Sequence, residues 1–239
     1  MFSSPNMRLA TLSALFSIAA LSAHATPVPV SKQSSSVFGS NGSAAVTITD
    51  DIELPSGLST LAGGFDLSSG PLGDFVAWCL DISTYLRLSS NYEITEDSAG
   101  FDPFGTARPT LAQKFNVQAL FNTGFSSLDL TSDADSAGFQ LALWEVTYED
   151  SGSFDVNSGD FNVTGNSAAR TRANQLLGGI NGPKTQSYRL TFLESTDTYY
   201  GSHKSQHLVT ASPIPLPAAG FLLLGALGGL GFVGKRRKG

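Results

Sequence analysis

Residues 132–150 read SDADSAGFQLALWEVTYED, and they break the period of a chain whose other apolar segments mostly alternate like β-strands. The acids at 133 and 135 fall in a first turn, where negative charge favours the helix dipole, and a long apolar run follows. The stretch therefore predicts a helix carrying Gln140 and Trp144 one turn apart.

Two more helices are expected on either side. In RPTLAQKFNVQALFNTGF (108–125), Leu111, Phe115 and Ala119 recur at i+4, with Thr110 as N-cap and Gly124 as stop. In NSAARTRANQLLGG (166–179), Ser167 is the expected cap and Gly178-Gly179 the end. The remaining segments read as strands separated by Gly, Pro and Asn turns. They are SAAVTITDDIEL (43–54), LAGGFDLSSG (61–70), FVAWCLDISTYLRL (75–88), NYEITED (91–97), YRLTFLES (188–195) and HLVTAS (207–212). The fold class is α+β, a β-rich domain with two or three inserted helices. Its boundaries are read as 26–195, with 196–213 as a stalk containing a last strand.

Both ends of the chain read differently. Residues 1–25 carry one cation (Arg8), an apolar run from Leu9 to Leu21, and Ala23-His24-Ala25, the order of a secretory signal peptide. Met7 is an alternative initiator. At the other end, Ala218–Gly234 is 17 residues without charge. As a helix it reaches ~25 Å, at the short end of what crosses a ~30 Å hydrocarbon core. Lys235, Arg236, Arg237 and Lys238 follow, a stop-transfer cluster that stays on the cytoplasmic side. The expectation is a single-pass inner-membrane anchor with the body outside.

Excluding Arg8 and the terminal cluster, nine Lys and Arg face all 20 acids, a net charge of −11. Such a surface repels nucleic acid. One cysteine, Cys79, leaves no intrachain disulfide and calls for its own explanation in an exported chain.

The order Ile214-Pro215-Leu216-Pro217-Ala218, apolar helix, basic terminus resembles the PEP-CTERM family of sorting tails in its VPLPA variant, with Ile214 in place of valine. The resemblance covers the last 26 residues, 214–239. It implies a partner, an exosortase-like membrane protease, that cuts near the proline motif and passes the body to the cell surface or extracellular matrix. Prolines forbid helix and expose an extended backbone, the shape a protease needs.

A second resemblance covers roughly residues 75–150. Trp78-Cys79-Leu80-Asp81, followed by Gln140-Leu141-Ala142-Leu143-Trp144, is similar to the Cys–Gln thioester domains of bacterial surface adhesins. Leu143 replaces an isoleucine of that pattern and Phe139 a threonine. The resemblance implies a cross-link between Cys79 and Gln140, kept from water by Trp78, Phe139 and Trp144. It also implies adhesion by covalent attachment to an amine-bearing surface or matrix partner. Two other readings of Cys79 stand beside it: a small buried hydrophobe in an inert structural protein, and a redox-reactive thiol.

Other chemistry is poorly served. Asp133, Asp135 and Gly138 fit a calcium loop whose twelfth position is Trp144, not an acid, and Asp155, Asn157 and Asp160 lack the glycine. Outside the leader the only histidines are His203 and His207. Glu145 and Glu149 lie one turn apart, the weak basis for a secreted hydrolase. No cofactor is implied, and a turnover enzyme is the minority case.

Overall fold

The structure is a computed structural model that describes residues 26–50, 57–88, 90–96, 109–181, 185–199, 202–203 and 205–215. The expected signal peptide (1–25), the apolar segment 218–234 and the basic cluster lie outside these residues, as do Leu216, Pro217 and Ala218 of the proline motif. Among the described residues, no helix is long and apolar enough to cross a membrane.

In chain order the strands are β1 (Val28–Pro29), β2 (Ser31–Lys32), β3 (Ser43–Asp50), β4 (Leu58–Gly63), β5 (Phe65–Ser69), β6 (Gly73–Cys79) and β7 (Asn91–Glu96). They continue with β8 (Asn162–Gly165), β9 (Tyr188–Ser195), β10 (Thr198–Tyr199), β11 (Ser202–His203) and β12 (Leu208–Pro213). The helices are α1 (Leu111–Gly124), α2 (Asp133–Tyr148) and α3 (Ser167–Gly178). The strands form a seven-stranded antiparallel sheet, β1-β7-β9-β12-β6-β5-β2, a three-stranded sheet, β4-β3-β8, and the small pair β10-β11. The chain is α+β and β-rich with three helices.

Helix α2 is the axis of the domain. Every residue from Ser136 to Tyr148 is buried, because α1, α3 and strands of both sheets surround it. Ser132 caps its first turn by accepting from Asp135 N–H. Gly138 lies where α2 meets α3: a Cβ there would come within 2.8 Å of Arg172 Cβ and 3.0 Å of the Ala169 carbonyl. Its smallness serves helix packing.

Several local expectations are corrected. LAGGFDLSSG is two strands in two sheets: the chain leaves β4 and enters β5 at Gly64, whose N–H is held by Ser136 Oγ at 3.0 Å. FVAWCLDISTYLRL is a strand only to Cys79; residues 80–88 leave the ladder. On α1, Thr110 is the expected N-cap, within a capping box completed by Gln113, yet Leu111 and Phe115 are 44 % and 66 % exposed. Of the expected row Ala119 is buried, and the other large apolar residues that α1 buries are Val117, Leu120 and Phe121. Gly124 closes α1 without a left-handed turn, and a 3₁₀ turn, Phe125–Ser127, continues from it. The cap of α3 is Asn166, which accepts from Ala169 N–H; Ser167 is already helical.

The stalk is corrected as well. β12 pairs with β9 over six residues and with β6 at Leu208 and Val209, so it is an interior strand of the large sheet. Leu208 and Val209 are fully buried. Residues 208–213 belong to the domain.

Candidate functional site

Cys79 is the last residue of β6, and its backbone faces an unusual gap. The Leu80 N–H donates to the His207 carbonyl at 2.9 Å, flanking the Cys79–Leu208 pair. That makes Cys79–Leu208 a non-hydrogen-bonded pair, and the N–H and C=O of Cys79 point away, toward the β5 side. Pairing there stops at Phe65–Ala77. The next partner would be Gly63, which is committed to Ser43 in the other sheet.

Gln140 fills the gap. Cys79 N–H donates to Gln140 Oε1 at 2.9 Å, and Gln140 Nε2 donates to the Cys79 carbonyl at 2.8 Å. The side-chain amide thus lies flat against the backbone of the cysteine, with both residues about 99 % buried. The thiol donates to the Asp81 carbonyl at 2.9 Å. Burial, and after it the Asp81 carboxylate, push the Cys79 thiol well above its ordinary pKa; the Trp144 indole and the Asp81 backbone pull it part of the way back.

The aromatic residues divide into two groups. Trp78 and Cys79 are neighbours on a strand, so their side chains point to opposite faces. Trp78 packs on Phe139 (centroids 4.7 Å) and Phe125 (6.3 Å), and Phe139 on Phe121 (4.9 Å). These rings form the core between the sheet, α1 and α2. Trp144, one turn beyond Gln140 on the same face of α2, is the aromatic residue whose indole acts on the thiol. Of the three residues expected to shield Cys79, Trp144 acts on it, while Trp78 and Phe139 support the strand and helix from the other face.

Tyr148 completes the arrangement. Its hydroxyl accepts from Ile82 N–H at 3.1 Å, so residues 140, 144 and 148 of α2 run alongside residues 79–82. The spacing i, i+4, i+8 from Gln140 is the sequence signal that points to Tyr148. Farther along, Arg87 N–H donates to Ser205 Oγ (2.8 Å), which also bonds the Tyr92 hydroxyl (2.7 Å). Burial pushes Tyr92 up to about 12. No spacing rule connects Ser205 to this site.

The remaining candidates have structural duties. Asp133 accepts from Ser43 N–H at 2.9 Å, and Asp135 pairs with Arg172 at 2.8 Å. Asp155 accepts from Asn157 and Asn174. Glu149 accepts from Ser151 and Asp160 N–H, and Glu145 from Asp155 N–H at 2.6 Å, which fastens the 150–160 loop to α2. His207 is buried, its Nδ1 accepting from Ser195 N–H at 3.2 Å; the side chain of His203 lies outside the described residues. Among the described residues, no group of three His, Cys, Asp or Glu is placed to hold a metal ion.

No protein-family model matches this chain, and no curated protein does. Among solved structures it is similar to the N-terminal domain of the Streptococcus pyogenes pilus tip adhesin Cpa (15 % identity, 79 % of this chain and 100 % of that one, TM-score 0.39). It is also similar to the N-terminal thioester domain of a surface protein from Clostridium perfringens (10 % identity, 72 % and 99 %, TM-score 0.41). Likeness at these values carries no conclusion about chemistry, which rests on the Cys79–Gln140 geometry alone.

Proposed function

We propose that this chain is an exported, adhesin-type surface protein in which Cys79 and Gln140 condense to an internal thioester. The observation that carries the reading is the Gln140 amide held on the Cys79 backbone by two hydrogen bonds. In the reaction Sγ bonds to the amide carbon, the C–N bond breaks, and the thiol proton leaves with the nitrogen as ammonia. Cys79 N–H already donates to Oε1, the atom on which negative charge gathers as the carbonyl is attacked. Proximity supplies the rest, since well-held pairs reach effective molarities of ~10⁵ M or more.

The product is an electrophile stored out of water. A primary amine on a surface or matrix partner attacks it, forms an amide to residue 140, and returns its proton to the sulfur. This is a single-use attachment and not turnover. Intact mass of the leader-free chain tests it: a deficit of one ammonia in the wild type, absent in Cys79→Ala and in Gln140→Ala, is the expected result. Full mass with a titratable thiol defeats it and leaves Cys79 as a buried hydrophobe in a structural protein, the reading favoured by its hydrogen bond to Asp81 and raised pKa.

Delivery belongs to the same proposal. The tail from Ile214 onward addresses the chain to an exosortase-like protease from a transient inner-membrane anchor, and the body ends at the cell surface or matrix. Pro217→Ala, or removal of residues 235–238, is expected to leave protein in the inner membrane. Normal surface display of both variants contradicts the sorting claim.

A further inference from the structure

Trp144 carries a buried donor that nothing else in the fold explains. Its Nε1–H is shielded from solvent and lacks a hydrogen-bonding nitrogen or oxygen among the described residues. A buried N–H without a partner is rare and calls for a cause. The indole stands one turn beyond Gln140 on the same face of α2, and that face lies against residues 79–82. Set between Gln140 and Tyr148 on that face, the indole lies alongside the Cys79 segment, and its N–H draws the thiol pKa down against burial while the thiol itself donates to Asp81. A neutral thiol is a weak acceptor; a sulfur bearing negative charge is a strong one.

We propose that the Trp144 indole N–H stabilises negative charge on Cys79 Sγ, first as the sulfur attacks Gln140 and again when an incoming amine expels it. This rests on the thioester reading of the same pair and assigns Trp144 a role beyond keeping water out. The donor is fixed in place before reaction: Trp144 is 3 % exposed within a helix buried on all sides, so charge appearing on sulfur meets a dipole that needs no reorganisation. The opposing element is Asp81, whose carboxylate disfavours the same charge, and among the described residues no cation contributes to the shift of the thiol. In such surroundings one oriented donor has a large effect.

Trp144→Phe tests this, because it keeps an aromatic shield and deletes the N–H. On refolding of the leader-free chain, the loss of ammonia followed by intact mass is expected to slow about tenfold or more, the size of a lost hydrogen bond to a charged group. Methylamine uptake by the formed thioester should slow by a similar factor. Leu120→Ala, a core truncation on α1, controls for lost stability and should change neither rate. A second readout separates this proposal from the thioester itself. In Gln140→Ala, where the thiol is retained, the pH midpoint for alkylation of Cys79 by iodoacetamide should move upward when Trp144→Phe is added. The midpoint is measured directly in the wild type if that protein shows full mass. Wild-type rates together with an unmoved midpoint overturn the role of Trp144, whether or not the thioester forms.

Discussion

The Gln140 side chain makes to Cys79 the two hydrogen bonds, 2.9 and 2.8 Å, that a neighbouring strand would have made. β5 cannot make them, because the chain crosses to the other sheet at Gly64, where a Cβ would lie 2.9 Å from the Trp78 ring. One residue of α2 thus completes the ladder of β6 at Cys79. This structural duty of Gln140 can be separated from any chemistry of the Cys79 thiol by mutation.

Gln140→Ala strands the N–H and C=O of Cys79 in the core, where each unpaired group costs about 1–3 kcal/mol. Cys79→Ala leaves both bonds intact and removes only a small buried side chain. Thermal unfolding of the two variants should show the glutamine change as the more damaging, by several degrees at ~2–4 °C per kcal/mol for a domain of this size. Equal midpoints would mean that the amide does not close the strand.

Tyr148→Phe removes the acceptor of Ile82 N–H and leaves the ring in place. Loss of that bond should speed hydrogen exchange at Ile82 about tenfold. Alkylation of the Cys79 thiol should rise in parallel, since residues 80–82 lie directly beside it. Unchanged exchange at Ile82 would show that the hydroxyl does not hold this segment.

Stability should fall as pH rises from about 4.5 to about 8. Burial, helped by Glu149 and Asp155, raises buried Glu145 to about 8 against the hydrogen bond from Asp155 N–H, so the fold keeps a proton that the unfolded chain releases. The native state then binds more protons in that interval, and the slope is negative, at most ~1.4 kcal/mol per pH unit for one group. Glu149 and Asp155 act in the opposite sense. Burial pushes Glu149 up, but hydrogen bonds from Ser151, Asp160 and Phe161 hold it below the usual range. The Asn157 amide does the same for Asp155, so their contribution is lost in acid. Denaturant midpoints should therefore peak at weakly acidic pH. Glu145→Gln, which retains an acceptor for Asp155, should abolish the alkaline decline; a persisting decline would assign it to another group.

Phe115 and Phe139 should respond very differently to truncation. Phe139 is fully buried against Trp78, Phe121 and Phe125, and Phe139→Ala should cost ~3–5 kcal/mol. Phe115 is 66 % exposed, and Phe115→Ala should stay within ~0.5 kcal/mol. Chemical denaturation of the two variants compares them, and a large loss at Phe115 would show that its face of α1 is covered in solution.

The sequence by itself determined the fold class, the three helices and most strand positions, through local rules of period and capping. Cys79 and Gln140, 61 residues apart, were brought together by no such rule but by the resemblance of Trp78-Cys79-Leu80-Asp81 and Gln140-Leu141-Ala142-Leu143-Trp144 to thioester domains. The sequence misplaced the buried face of α1, because Leu111 and Phe115 satisfy helical spacing as well as Val117 and Phe121 do. Burial depends on what packs alongside, which a period does not encode. It also took 208–213 for part of a stalk, since the place of a strand within a sheet is set by long-range pairing with β6 and β9. Only the tertiary structure decided that β5 stops short of Cys79 and that Gln140 takes the vacant bonds. It likewise separated Trp144 at the sulfur from Trp78 on the opposite face. Those outcomes come from the crossing of two sheets around one buried helix, and no segment of the chain contains that crossing on its own.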